Sequence, residues 1–203
     1  MVDRLKLEYG DRVDVDWYAF ELRPEPVPLP APATPERRER WATSILPMAA
    51  ERGLEMRLPS VASRTRLTHQ AVELARDHQK ADALRHAIFE AFFRDSRDIG
   101  DATVLADLGE VAGIHRTLMT RALEAGTYLP RVLEQEQAAH RLRVNGVPAM
   151  LVGDDLAVAE PVIGAVPYEW LKGAVDRALS GDSLEWRRRA LRSAIPLKDS
   201  DSN

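Results

Sequence analysis

The residues with reactive side chains in this sequence do not form a catalytic or metal-binding motif. The five histidines, at positions 69, 78, 86, 115 and 140, never stand at a metal-ligand spacing with a carboxylate partner. The chain has no cysteine, which excludes disulfides, thiolate metal sites and thiol catalysis by the chain itself. A nucleophilic serine turn, a phosphate-binding glycine loop and a dinucleotide fingerprint are also absent. We therefore expect no metal and no cofactor.

Three polar features have an ordinary structural interpretation. His69 follows "SRTRLT" at the start of a predicted helix; a place in a cleft is an alternative, but a non-catalytic histidine is favoured. Asp154 and Asp155 lie in a predicted hairpin turn, where aspartate serves turn geometry alone. The basic run "RRRALR" at 187–192 stands in a chain of net charge −4, and it is interpreted as a solvated helix face rather than a nucleic-acid contact.

The most informative short segment is "NGVPAMLV", residues 145–152. A proline at the start of an apolar run is unusual, because proline cannot donate a ladder hydrogen bond. The segments 149–152 and 156–160 flank "GDD" and predict two short strands joined in a hairpin. Pro148 therefore stands at the mouth of the first of these strands.

The segments before residue 35 predict part of an α/β unit. Residues 3–9 have the composition of a helix end, which Gly10 terminates. Apolar residues alternate with aspartates in "RVDVDWYAF", which predicts a half-buried strand over 13–20. The proline-rich stretch 21–35 predicts an extended connector, because proline supplies neither helix nor ladder bonds. A docking site for a proline-reading domain is the less favoured alternative.

Residues 67–143 predict an almost continuous helical block. Before it, Thr34 and Pro35 form an N-cap and first-turn pair for a helix that runs to about Arg52. Asp101 is the expected N-cap of a helix within the block. Breaks are predicted at Asp77–Lys80, Ser96–Gly100, Gly113 and Gly126. Apolar residues at helical spacing are expected in the core: Ile88, Phe89, Phe92, Phe93, Val104, Leu105, Leu108 and Val111.

The α/β pattern returns after the helical block. Pro167 is expected to open a helix that turns Tyr168, Leu171, Val175 and Leu179 inward. Two α/β pieces around a helical insertion imply one sheet whose strands come from both ends of the chain. The predicted organisation is an N-terminal α/β piece (1–34), an inserted helical domain (35–143), a C-terminal piece with the proline, hairpin and helix (144–180), and a terminal helix with a flexible tail (181–203).

Composition limits the class of protein. A chain of 203 residues with 45% hydrophobic and 30% charged residues can bury one ordinary core. The pI near 5.8 argues against a general nucleic-acid binder. No stretch of the sequence has the roughly 18 apolar residues of a membrane span. The N-terminus "MVDRLKLEYGDR" has no apolar signal region, so we expect a cytoplasmic location and no membrane partner.

Four segments, in order, resemble the DsbA-like thioredoxin-fold family, and specifically its FrnE-type branch. The family also includes relatives of 2-hydroxychromene-2-carboxylate isomerase. "GVPAMLV" is similar to the cis-proline segment of the family, and "VIGAVPYEWLKGAVDRAL" to its C-terminal end. "VDVDWYAFELRP" looks like the second strand with the run after it. "HAIFEAFFRDSRDIGDATVLADLGEVAGI" is similar to the middle of the inserted helical domain. Together they cover roughly residues 5–179.

The resemblance implies an α/β thioredoxin fold with a large all-helical insertion. It also implies a groove for an extended peptide or protein substrate at Gly146, Val147 and Pro148. Family members begin with a strand and a Cys-Pro-x-Cys motif at the start of the first helix. This sequence corresponds to the family only from the end of that helix, so the first strand and the helix start are expected to be missing. No residue of this sequence corresponds to the family's nucleophilic cysteine.

Three functional hypotheses remain open. In the first, the true start lies upstream and restores a thiol-disulfide oxidoreductase. In the second, the chain is a redox-inactive module that binds peptides or a partner chain. Under this hypothesis an open sheet edge also allows the chain to form oligomers. In the third, it is related to glutathione-dependent isomerases, with glutathione as ligand, although no activating residue near Pro148 is evident.

Overall fold

The computed structural model describes residues 1–156 and 158–181. Contacts divide the chain into two compact units. One comprises Met1–Trp17 with the described residues from Ala138 onward, and the other comprises Tyr18–Gln137. The predicted terminal helix and tail at 181–203 lie outside the described residues, apart from Gly181. The predicted domain boundaries stay a prediction. Among the described helices, none is both long and apolar enough to cross a membrane.

The second unit consists of helices, with breaks where the sequence predicts them. Thr34 caps the first of these helices, because its Oγ1 accepts a hydrogen bond from the Arg37 N–H at 3.3 Å, and Pro35 occupies the first turn. The helices are α2 (Pro35–Arg40), α3 (Leu46–Glu51), α4 (Arg66–Asp77), α5 (Ala81–Phe89), α6 (Ala102–Val111), α7 (Arg116–Glu124) and α8 (Leu129–Arg141). Two π-helical turns, Trp41–Ile45 and Glu90–Arg94, follow α2 and α5.

The core of the helical unit is built from the apolar faces of α4 to α7. Two predicted core residues were wrong, since Phe89 is 50% exposed and Val111 is 79% exposed. Phe89 stacks on Phe93, which itself packs against Trp41, so the aromatic stripe lies at the rim of the core. Val111 occupies the last turn of α6 on the side away from the cluster. The fully buried members include Ala71, Leu74, Leu84, Leu105 and Met119.

The first unit contains a two-stranded antiparallel sheet and two helices. Its elements are α1 (Val2–Tyr9), β1 (Ala149–Val152), β2 (Glu160–Ile163) and α9 (Tyr168–Ser180). β1 forms where the sequence predicts it, but the second strand begins at Glu160 rather than at residue 156. The N–H of Val158 donates to the Asp155 carbonyl at 3.0 Å, so a turn occupies the predicted strand start.

The strand predicted over 13–20 is not found. Val13 has extended backbone angles, with φ −134° and ψ 119°, but no residue from 13 to 20 belongs to a described strand. A strand exists only where its backbone groups have a neighbouring partner. The alternation of Val13 and Val15 with Asp14 correctly predicts which side is half-buried, but it does not supply that partner.

A small apolar cluster forms the core of the first unit. Leu5 and Tyr9 of α1 meet Leu171 and Val175 of α9, and Val13, Val15, Met150, Val152 and Tyr168 pack against them. Leu179, predicted to face inward, is 44% exposed instead, because the cluster ends one turn earlier. The Tyr9 hydroxyl donates to Asp176 Oδ1 at 2.5 Å and accepts from Lys172 Nζ at 3.0 Å, which links the two helices at their polar edge.

The Asp101 cap of α6 provides a direct test of helix stability. Its Oδ1 accepts from the Thr103 N–H at 2.6 Å and from the Val104 N–H at 3.1 Å. These donors lower the pKa of the carboxyl group. We expect Asp101→Ala to lower the unfolding free energy measured in urea titrations at pH 7, because α6 loses its N-cap acceptor.

Because the folded-state pKa of Asp101 is depressed, its contribution is present above the unfolded value and is lost as the pH falls through the folded value. The difference between wild type and Asp101→Ala should therefore shrink in acid. Asp101→Asn keeps an acceptor oxygen and serves as the matched control. Equal stability of Asp101→Ala and wild type at pH 7 would contradict the assignment.

Candidate functional site

The segment Gly146–Val147–Pro148 lies at the entrance to β1. Val147 is 51% exposed, and Pro148 is also exposed. The Val147–Pro148 peptide bond is cis. No atom lies within 4 Å of the position that a Cβ would take on Gly146, so the approach to Val147 is open on this side.

The hairpin fixes the direction of the backbone groups along β1. Gly164 N–H donates to the Pro148 carbonyl at 2.8 Å, and the register pairs Met150 with Val162. In an antiparallel pair, backbone groups alternate between the two edges of each strand. Those of Ala149 and Leu151 therefore point away from β2. In the described part of the chain β1 pairs only with β2, which leaves this edge open.

The chemistry available at this edge is backbone recognition. Residues 144–152 include no ionisable side chain, so the segment supplies no acid, base or nucleophile. An open strand edge does offer N–H and C=O groups in a row, and an extended peptide can pair with such a row. The three predicted groove residues, Gly146, Val147 and Pro148, lie contiguously here; their role in binding stays a prediction.

Sequence reasoning missed a buried polar cluster in the helical unit. Three hydrogen bonds hold residues 18–21 against α4 and α8. Ala19 N–H donates to Gln135 Oε1 at 2.8 Å, Glu21 N–H to Glu136 Oε1 at 3.2 Å, and Arg66 Nε to Glu21 Oε1 at 2.6 Å. Glu21 and Gln135 are buried, so these contacts replace the hydrogen bonds that both residues would make with water. They fix the start of the proline-rich connector.

Helix α4 supplies the other side of this cluster. Glu73 is 2% exposed and accepts from Gln135 Nε2 at 3.0 Å. Arg66, His69 and Glu73 are spaced three and four residues apart, so these polar residues lie on one face of α4. A polar stripe of this kind on a helix inside a predicted domain is the signal that could have revealed the cluster.

His69 belongs to this cluster. Burial lowers the pKa of its imidazole, although the charges of Glu21 and Glu73 and a hydrogen bond to the Phe20 backbone oppose the shift. Its Nε2 is buried and has no hydrogen-bond partner among the described residues. No group of three or more potential ligands in the described ranges could hold a metal ion. Burial therefore favours the neutral form of His69.

The surroundings of Glu136 disfavour the ionised form of its carboxyl group. Burial raises its pKa, and the neighbouring Glu21 carboxyl group raises it further, while the charge of Arg66 acts in the opposite direction. Glu21 in turn raises the pKa of Arg66 through their hydrogen bond. Two acidic side chains and one guanidinium therefore share this site.

Comparison with known proteins identifies the family. A family model described as DSBA-like thioredoxin domain matches residues 1–176. The chain belongs to the DSBA-like thioredoxin domain family. An uncharacterised protein of Bacillus subtilis, YwbO, is 32% identical over 151 residues, which cover 71% of this chain and 74% of that protein.

A solved structure supports the fold of this DSBA-like domain. The crystal structure of a probable DsbA oxidoreductase from Streptomyces coelicolor matches with a TM-score of 0.61 and 24% identity. The match covers 91% of this chain and 78% of that one. The α/β thioredoxin-type fold with a large helical insertion, expected from the sequence, is confirmed. At this identity the likeness shows fold alone.

Glu136 of this DSBA-like domain allows a pH-dependent test. Its folded-state pKa lies above the unfolded value, so ionisation at pH 7 opposes folding, and the stability that the protonated form contributes is lost as the pH rises through the folded value. We expect Glu136→Gln to raise the unfolding free energy at pH 7 by less than about 1 kcal/mol after solvent screening.

The gain should vanish below about pH 4, where the wild-type carboxyl group is protonated in both states. The amide of the Glu136→Gln variant would keep the acceptor oxygen for the Glu21 N–H. Glu134→Gln makes the same charge change on an exposed side chain of α8 and is the control. A gain that persists unchanged in acid would refute the electrostatic interpretation.

Proposed function

We propose that this chain is a redox-inactive member of the thiol-disulfide oxidoreductase family that binds extended peptides at Gly146–Val147–Pro148. The observation that carries the proposal is the exposed Val147, which stands two residues before β1, a strand whose outer edge has no pairing strand among the described residues. The partner is a protein segment in extended conformation, recognised chiefly through its main chain.

The absence of cysteine supports the redox-inactive part of the proposal. Thiol-disulfide exchange requires a thiolate that attacks a sulfur and forms a mixed disulfide. This chain supplies no thiol for either step. A segment that retains the binding surface without a sulfur holds its ligand but transfers no electrons to it.

Recognition at Val147 follows from strand pairing. A peptide beside Val147 exchanges main-chain hydrogen bonds with it, and the exposed side chains of Val147 and Pro148 offer a small apolar contact. Since no charged group lies within residues 144–152, the site places few demands on peptide sequence. Unfolded segments of many proteins therefore satisfy it.

Carboxymethylated insulin B chain, which is extended and has no free thiol, is a suitable probe. We expect fluorescence anisotropy to detect binding, and Val147→Pro to weaken it about tenfold because one backbone donor is lost. Val147→Ala keeps the backbone N–H and is the matched control. Circular dichroism monitors the fold of both variants. Equal binding by Val147→Pro and Val147→Ala would refute the site.

The chemical part of the proposal has a separate test. We expect no acceleration of insulin reduction by dithiothreitol when the purified chain is added. Thiol-dependent reductase activity of this chain would contradict the proposal outright. Calorimetric titration with glutathione addresses the isomerase-like alternative: we expect no binding, and saturable heat would favour that alternative instead.

A further inference from the structure

A cavity lies between β2 and α9 in the first unit. Its volume is about 390 Å³, and small-molecule sites in proteins typically span about 300–1,000 Å³. Ile163 and Trp170 line it, and these residues are 60% and 67% exposed. Because two large apolar side chains are left uncovered in one concave surface, the cavity has the character of a binding site.

Gly173 and Arg177 line this cavity from α9. Among the described residues, the atom nearest to the position that a Cβ would take on Gly173 is Arg177 Nη1, at 3.3 Å. The other guanidinium nitrogens are occupied, since Nε donates to Glu160 Oε2 at 3.0 Å and Nη2 to Glu160 Oε1 at 2.5 Å. Nη1 has no acceptor in the described part of the chain, so its N–H groups are available to an oxygen atom of a ligand beside Gly173.

The charged side chains that line the cavity leave one carboxylate uncompensated. Arg177 binds Glu160 through two nitrogens, and Glu169 remains. Glu169 contacts Arg4 outside the cavity at 3.8 Å, with the two side chains 70% and 62% exposed. An ion pair between exposed side chains is weak and exchanges easily. The cavity is therefore complementary to a cationic group at its Glu169 end.

Pro161 limits the kind of ligand that fits. It stands opposite Leu151, at a position whose backbone points away from β1, and it has no N–H. A proline at a sheet edge prevents a further strand from pairing there. Side chains rather than a backbone ladder therefore recognise the ligand, and the volume of the cavity suits a compact molecule.

We propose that this cavity binds a small α-amino amide with an apolar side chain. The ammonium group of the ligand pairs with Glu169, and its carbonyl oxygen accepts a hydrogen bond from Arg177 Nη1. The apolar side chain packs on Ile163 and Trp170, and the indole face attracts the nearby cation. The site lies on β2 and α9, so it does not depend on the proposed peptide binding at Val147.

The spacing of the two polar contacts matches this class of ligand. Glu169 and Gly173 are four residues apart, so they share one face of α9 with a rise of about 6 Å between them. In an α-amino amide the ammonium nitrogen and the carbonyl oxygen lie about 3 Å apart, and a hydrogen bond of about 2.9 Å extends from each. One ligand of this size therefore reaches both Glu169 and the donor beside Gly173.

L-Phenylalaninamide at pH 6, where its α-amino group is protonated, is the probe. We expect it to shift the NMR signal of the Trp170 indole N–H saturably in the full chain; the loss of this signal in Trp170→Phe assigns it. Two matched compounds each lack one polar group. N-Acetylphenylalaninamide has no ammonium group and 2-phenylethylamine has no carbonyl, and each should bind about tenfold more weakly.

Three results would overturn the proposal. Absence of a saturable shift, or equal affinity for all three compounds, would exclude recognition of the two polar groups. Tighter binding of the tripeptide Phe-Gly-Gly than of phenylalaninamide would assign the cavity to peptide N-termini instead. A shift of the Trp170 signal on dilution of the chain alone would assign the exposed apolar surface to a second copy.

Substitution of Glu169 tests the ionic contact separately. We expect Glu169→Gln to abolish the preference for phenylalaninamide over its N-acetyl form. Arg4→Gln removes the same ion pair but keeps the Glu169 carboxylate, so it is the matched control and should bind the probe at least as tightly as the wild-type chain. The same loss of preference in both variants would contradict the assignment of Glu169.

Substitution of Gly173 tests the place of the ligand. Gly173→Leu fills the space beside Arg177 Nη1 and should weaken phenylalaninamide binding about tenfold. The fold is retained, because leucine favours a helix more than glycine does and the new Cβ meets only the end of a flexible side chain. Gly173→Ala adds one methyl group and should bind within about threefold of wild type. Equal affinity of Gly173→Leu and wild type would refute the site, whereas Val147→Pro should leave binding unchanged, which separates failure here from failure of the insulin-chain site.

Discussion

The hydrogen bond from the Gly164 N–H to the Pro148 carbonyl is the constraint on which the arrangement of the first unit depends. It sets the register of the hairpin, so that Met150 and Val152 face the apolar cluster while the backbone groups of Ala149 and Leu151 point away from β2. A slip of one residue would reverse both assignments. Pro148 accepts this hydrogen bond but has no N–H to return one to Gly164, and the Gly164 carbonyl accepts from the Val166 N–H at 3.0 Å instead. The residue that opens the strand thereby also fixes which backbone groups of β1 point away from β2.

The helical unit is stabilised in a different way. Its apolar core is built from α4 to α7, and a cluster of buried polar contacts lies where residues 18–21 meet α4 and α8. Burying Glu21 and Glu73 is costly unless each carboxylate has partners. Arg66 and Gln135 supply these partners, which explains why a chain segment with little regular structure is nevertheless held in one place. The cluster fixes the connector and contains no metal-ligating constellation in the described ranges.

Local signals in the sequence predicted much of the fold. The caps at Thr34 and Asp101, the helix breaks and the strand at 149–152 all follow from the chemistry of one or a few neighbouring residues. The strand expected at 13–20 was wrong, because alternation reports burial whereas a strand also needs a partner that local sequence does not reveal. The polar cluster was missed for the same reason. Glu21, His69 and Glu136 are far apart in the chain, and only the tertiary fold brings them together.

The proposed site separates peptide binding from the thiol chemistry of the family. The proposed backbone recognition at Val147 depends on strand direction and exposure, and neither property requires a cysteine. Thiol exchange depends on a sulfur that no other side chain replaces. Peptide binding and thiol exchange therefore depend on different residues. This DSBA-like chain has no cysteine, yet Ala149 and Leu151 keep main-chain donors and acceptors on the edge of β1 that has no pairing strand among the described residues.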